Sequence, residues 1–196
     1  MTTTDGPPDA FGSPYRLLST AVTPRPIGWI STTSPEGVDN LAPYSFFNVV
    51  AVDPPVVMFA PVGNSELKDT PRNVQETEQF VVNTVTHDLI EEMNATSATL
   101  PAGESEFDQV GIERADSVAV EPPRVAAAKV VLECELYDWT EVGGSVLVLG
   151  EVVHVHVDES VLTDGKVDSD KLETVGRLAG SQYASTVDRF SIERPS

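Results

Sequence analysis

The sequence predicts a mainly β fold, a single antiparallel barrel with short helical insertions, on three observations. Six or seven runs of β-branched, aromatic and aliphatic residues follow one another, mostly joined by short turns rich in Pro, Gly and Asp. The last third carries a sustained alternation: Ala128, Val130, Leu132, Cys134 and Leu136 against Lys129, Val131, Glu133 and Glu135. That is the period-two pattern of a strand. The strand–helix–strand rhythm of a parallel sheet is missing, as are a Gly-rich dinucleotide fingerprint and a P-loop.

Taken in order, residues 1–13 read as a loose arm without the basic region and apolar core of a secretory leader, and 14–196 as one domain. Residues 27–33 (IGWISTT) form a strand closed by the Pro35-Glu36-Gly37 turn. Residues 44–51 (YSFFNVVA) form a second, stopped by Asp53-Pro54-Pro55, and 56–62 (VVMFAPV) a third, apolar throughout and so buried on both faces. Between 65 and 78 the character turns helical, with Thr70 as N-cap and Pro71 at the first helical position. Residues 80–86 (FVVNTVT) make a fourth strand, and 87–97 carry Leu89, Ile90, Met93 and Ser97 at helical spacing. Residues 100–117 are an excursion with a helical turn near 107–110. Gly143-Gly144 turns the long 128–136 strand back into another over 145–158, and Asp164-Gly165 marks a tight turn. Residues 171–179 read as a short helix with Leu172, Val175 and Leu178 facing inward.

Charge bounds the partners. Acidic residues number 31 against 12 basic, for a net charge of −19, and only four of the basic residues are Lys. They are spread along the chain, which points to an acidic folded surface adapted to concentrated salt rather than a disordered tail. Such a surface repels nucleic acid and anionic membranes. No apolar run approaches the roughly 20 residues of a membrane span, so a cytoplasmic protein is expected. A lone cysteine, Cys134, excludes an intramolecular disulfide and reads as a small buried hydrophobe.

In so acidic a chain, basic residues beside Gly, Ser or Thr are candidates for anion contacts: Arg25, Lys68 and Arg72. The run Ser65-Glu66-Leu67-Lys68-Asp69-Thr70-Pro71-Arg72-Asn73 offers a helix start, hydroxyls and cations together, which a phosphate needs. The run from Asn40 to Asn48 interleaves hydrogen-bonding groups with aromatic faces and suits a tricyclic ring with a polar rim. His154 and His156 share a strand face as a metal pair does, but spacing supplies no third ligand, and no metal site is expected. No Ser-His-Asp or Cys-His arrangement stands out, and no side chain is nominated as acid or base.

The block Arg25-Pro26-Ile27-Gly28-Trp29-Ile30-Ser31-Thr32, then Asn40-Leu41-Ala42-Pro43-Tyr44-Ser45-Phe46-Phe47-Asn48, then Asp53-Pro54-Pro55, resembles the flavin reductase-like family. Lys68-Asp69-Thr70 with Asn73, Phe80-Val81-Val82-Asn83, Gly150-Glu151-Val152, and Arg177-Leu178 with Tyr183 follow in the same order. The resemblance runs from about Tyr15 to Tyr183; Ala179-Gly180 stands where a Gly pair is expected. It implies a six-stranded antiparallel split barrel of the FMN-binding type, assembled as a homodimer with FMN near the subunit interface. The ring would rest against Asn40, Ala42, Pro43, Tyr44, Ser45, Phe46 and Asn48. Ser31, Thr32 and Ser45 would meet the ribityl chain or phosphate, and Lys68 and Thr70 would hold the phosphate, with Arg25 as a second cation. The implied reaction is hydride transfer from NAD(P)H to flavin and onward to free flavin, ferric iron or a redox partner protein. Competing readings are an FMN-binding electron carrier reduced by a protein donor, a pyridoxamine-phosphate-oxidase-like enzyme, and an acidic binding module without flavin.

Overall fold

The computed structural model describes residues 2–62 and 68–195. A 3-10 turn at Pro8–Phe11 leads to helix α1 (Pro14–Ala21), which the sequence did not announce. Ser13 caps it by accepting the Arg16 N–H at 3.2 Å, and Pro14 opens it. There follow β1 (Gly28–Thr33), β2 (Asp39–Tyr44), β3 (Phe47–Val52), β4 (Pro55–Phe59), α2 (Asp69–Thr77), β5 (Gln79–Thr84), α3 (Ile90–Ala95), α4 (Glu106–Val110), β6 (Val130–Val142) and β7 (Ser145–Val157). Two short strands, β8 (Val175–Arg177) and β9 (Tyr183–Ser185), close the chain.

Seven strands among the described residues build the main sheet in the order β2-β1-β5-β6-β7-β4-β3, every neighbouring pair antiparallel. The expected count of six lacks β2: the strand read from Tyr44 begins only at Phe47, and Asp39–Tyr44 forms a separate strand before it. The chain bends at Ser45 and Phe46, so that Tyr44 ends β2 opposite Gly28 and Phe47 begins β3 opposite Phe59. The fold class, mainly β with short helices, is as expected. Arg25–Pro26, β8 and β9 form a second small sheet.

Alternation along the strands separates two cores. Trp29, Leu41, Val81 and Val131 face the helices together with Leu89, Met93 and Phe107. Ile30, Phe59, Phe80, Val82, Cys134 and Val148 pack inside the curved sheet. Phe80 meets Phe59 edge-on at 5.3 Å between ring centroids, a favoured aromatic geometry. Most buried polar side chains are paired: Trp29 Nε1 donates to Thr96 Oγ1 at 2.9 Å, and Asn83 donates to the Trp29 carbonyl while accepting the Val125 N–H; among the described residues Arg25 Nε and Asn73 Oδ1 are buried without a partner.

Three further expectations are corrected. Residues 171–179 are not a helix: Val175 N–H bonds the Val85 carbonyl and Val175–Arg177 pairs with both Arg25–Pro26 and β9, so strand pairing overrides a helical apolar spacing. Only Val175 of the three apolar residues is fully buried. Lys68, not Thr70, is the N-cap of α2, while Ser65, Glu66 and Leu67 lie outside the described residues. Glu133, read as a solvent-facing member of the alternation, is completely buried, because the 117–120 segment folds over that face of β6.

Candidate functional site

A cleft of about 420 Å3 opens where the edge strand β2 meets the start of α2. Asn40, Ala42, Pro43 and Tyr44 line one wall, Lys68, Asp69 and Thr70 another, and residues 96–100 with Glu106 the rest. The open edge of β2 accepts rather than donates. Leu41 is fully buried with its N–H bonded to Glu106 Oε2 at 2.9 Å, and Pro43 has no N–H, so the group this edge can turn to the cleft is the carbonyl of Pro43, which lines it. At the other end, α2 begins at Lys68, and no side chain among the described residues caps its first turn, which leaves the Asp69 and Thr70 N–H groups (Pro71 has none) and the exposed Lys68 ammonium beside the cleft. An accepting edge for a ring N–H and a helix start with a cation for a phosphate fit a flavin nucleotide.

The cleft floor is a buried polar chain. Thr70 Oγ1 donates to Asn40 Oδ1 at 2.5 Å, and Asn40 Nδ2 donates to Glu106 Oε2 at 2.9 Å. Burial pushes the Tyr44 hydroxyl up to about 12, with the Thr70 hydroxyl opposing and Glu106 and Asp69 adding to it. Tyr44 is therefore a neutral donor at physiological pH. Burial likewise raises the Glu106 carboxyl against the hydrogen bonds from Leu41, its own backbone N–H and Asn40 that favour its charge, with Asp69 adding to the rise. Arg114 clamps this region: its guanidinium bonds Asp39 at 2.9 Å, Asp108 at 2.7 Å and Ser105 at 3.0 Å, and lies 4.7 Å from the Phe107 ring centre. Glu106 escaped sequence reasoning because only a contact 66 residues away in sequence places it beside Asn40.

Of the twelve expected contact residues, Asn40, Ala42, Pro43, Tyr44, Lys68 and Thr70 meet in this cleft. Ser31 and Thr32 do not: both side chains have no accessible surface, Ser31 donating to the Pro123 carbonyl at 2.5 Å and Thr32 accepting from Asn73 at 3.0 Å. Arg25 lies outside this cleft. Its guanidinium donates to the carbonyls of Ser19, Val22 and Leu178 at 2.5–2.9 Å, and it ties α1 to the small sheet. Asn48 is exposed on β3 and accepts its neighbour's Val49 N–H; Phe46 packs between Tyr15 and Arg25, with ring centroids 6.4 Å apart for the aromatic pair.

Ser45 lines a second cleft of about 240 Å3 with Tyr15, Arg25, Asn94, Arg177 and Tyr183. Pro43 and Ser97 line both clefts, which are therefore neighbours. Arg177 stacks on the Tyr183 ring, its Cζ 4.5 Å from the centroid, and donates to the Tyr183 hydroxyl and the Gly180 carbonyl.

The chain as a whole has relatives of known structure. The chain is similar to nitrilotriacetate monooxygenase component B from Bacillus cereus, with 31% identity, a TM-score of 0.92, and 98% of this chain and 100% of that one covered. It is also similar to the 2-nitrobenzoate 2-nitroreductase NbaA of Pseudomonas fluorescens, with 33% identity, a TM-score of 0.86, and 93% and 91% covered. A protein of Aquifex aeolicus is 40% identical over 173 residues, covering 86% of this chain and 88% of that one. Residues 20–172 match the model of the flavin reductase like domain, and the chain belongs to that family, with its split-barrel fold.

Proposed function

We propose that the chain is an FMN-dependent oxidoreductase of flavin reductase type, taking hydride from NADH or NADPH and passing electrons to free flavin, ferric iron or a redox partner protein. The observation that carries this reading is the cleft joining the accepting edge of β2 to the start of α2, in a chain of this family. FMN is favoured over FAD because the cleft offers one phosphate subsite, at Lys68 and the α2 amides.

The flavin supplies the redox chemistry when bound, accepting hydride and releasing electrons singly or in pairs. The residues here bind and orient. Lys68 and the first-turn amides of α2 neutralise the phosphate, and Pro43 with Tyr44 gives the ring a flat wall. Tyr44, kept neutral, donates a hydrogen bond without charging the site. The second cleft, with Arg177, is the place for the incoming anionic nicotinamide nucleotide. No acid or base is required, since hydride transfer is chiefly a matter of positioning.

We further propose a homodimer and cytoplasmic residence, with 14–196 as the domain and 1–13 as an arm; the exposed apolar edge of β3 (Val49, Val50, Val52) supports pairing with a second copy. No helix among the described residues is long and apolar enough to cross a membrane. The deciding experiment is an anaerobic visible spectrum of FMN-loaded protein before and after adding NADH or NADPH. Rapid bleaching of the flavin band is expected. A band that persists until a reduced protein donor is added makes the chain an electron carrier instead, and no flavin band after FMN soaking removes the cofactor.

A further inference from the structure

Away from the cleft, β6 and β7 bring three ligating side chains together. Glu133 on β6 lies directly opposite His154 on β7, and a bulge at Val153 sets that register. His156, two residues on, projects from the same face. The ligand atoms of Glu133, His154 and His156 all lie within 4.8 Å of one another.

The chemistry of the group is unusual for a strand wall. Glu133 has no accessible surface, yet its carboxylate is held ready to accept: Val118 N–H bonds Oε1 at 2.8 Å, Ala119 N–H bonds Oε2 at 2.6 Å, and His156 Nε2 sits 2.5 Å from Oε1. A buried carboxylate is costly without a positive partner, and a metal ion shared with the two imidazoles supplies one. A carboxylate accepts about four hydrogen bonds, so these three contacts leave it a free lone pair. The His154 ring lies 4.9 Å from the His156 ring in an edge arrangement, with no hydrogen bond to it among the described residues. Both imidazoles are half-buried and open to solvent on the outer side.

We propose that Glu133, His154 and His156 form a binding site for a divalent transition metal, Zn2+ foremost. Two imidazoles and one carboxylate are the donor set of an open zinc site, which keeps a fourth position for water. Ligand atoms around tetrahedral zinc stand roughly 3.3 Å apart, from bond lengths near 2.0–2.1 Å. The present spacing reaches that by opening the Glu133–His156 contact and drawing His154 inward. The Val118 and Ala119 N–H groups act as the second shell that fixes the carboxylate. The site is independent of the flavin reading.

The test uses untagged full-length protein stripped with a chelator and titrated with Co2+ and then Zn2+. One equivalent of Co2+ is expected to give the visible bands of a low-coordinate nitrogen–oxygen site, and Zn2+ to displace them. His154→Gln and His156→Gln should each weaken Zn2+ binding by about tenfold or more, and His87→Gln, outside the cluster, should leave it unchanged. Zn2+ should also raise the melting temperature of the parent protein but not of His154→Gln. Featureless Co2+ uptake that persists in both histidine variants would assign the binding to the acidic surface and overturn the proposal, as would no uptake at all.

Discussion

Lys68 stands at the N-cap of α2 with no side chain among the described residues closing the first turn, so a ligand anion there meets backbone N–H groups of the first turn and one ammonium. Replacing Lys68 with Ala removes a charge-assisted contact worth about 1.5–3 kcal/mol, or about 10–150-fold in FMN affinity. Isothermal titration with FMN reads this directly, and riboflavin, which lacks the phosphate, should bind both proteins alike. Glu106 adds a pH dependence. Burial raises its carboxyl above the ordinary range, so the group is neutral below the raised value and adds a negative charge to the cleft above it. FMN affinity should therefore fall as pH rises through that value. Because the phosphate itself titrates near pH 6, the reading is the difference between the parent and Glu106→Gln, in which the Glu106 part of the fall is absent while an amide oxygen still accepts from Leu41 and Asn40. By the same sign the buried Glu106 stabilises the fold only while protonated, so Glu106→Gln should gain stability relative to the parent as pH rises. Identical FMN profiles for the two proteins would take Glu106 out of the ligand's field.

The β6–β7 ribbon crosses the inner core at Gly150, where the register shifts between Leu149 and Gly150. A Cβ there would sit well inside contact distance of the Phe80 ring and 3.1 Å from Cys134 Cβ. Phe80 has no accessible surface and packs against Phe59, so it has nowhere to go. Gly150→Ala should cost about 1–3 kcal/mol by overpacking, seen as a lower urea midpoint at unchanged slope. Elements of this kind were legible in the sequence wherever period and punctuation agree: Gly143, at φ 58°, turns the ribbon, and Asp164 with Gly165, both in the left-handed region, turn the small hairpin. Legibility failed where distant pairing decides. Leu172, Val175 and Leu178 keep helical spacing, but Val85 and Arg25–Pro26 pull the segment into extended form. The alternation that placed Glu133 outside is correct for the strand, yet it carries no information about the loop that covers it. Within the site, the β2 wall and the α2 start were readable as motifs, whereas Ser31 and Thr32, drawn from the same block, turn to the core, and Glu106 arrives from a separate excursion.

Over the whole molecule the dominant quantity is a net charge of −19, carried by 31 acidic residues. Local contacts stabilise some of these carboxylates in their charged form. Asp158 is held far below the ordinary carboxylate range by the Ser160 hydroxyl, Lys129 and the Ser160 backbone, and Asp168 and Asp108 are lowered by Thr163 and Arg114. Depressed carboxylates contribute stability above their ordinary pKa, near 4, and lose it as pH falls through the folded values. They therefore act fully at neutral pH and cannot relieve the excess charge there. What relieves it is salt, since the screening length shrinks from about 10 Å at 0.1 M to about 3 Å at 1 M. We accordingly expect the melting temperature at pH 7 to rise steadily from low ionic strength to molar KCl, and NAD(P)H oxidation to rise with it, because screening also lets an anionic nucleotide approach an anionic surface. The two effects separate by comparing KM at a temperature where the protein is fully folded throughout: steering alone lowers KM, while stabilisation alone leaves it unchanged. A melting temperature that is flat or falls with KCl would mean that the acidic residues are arranged so as not to repel, and the adaptation to concentrated salt would be withdrawn.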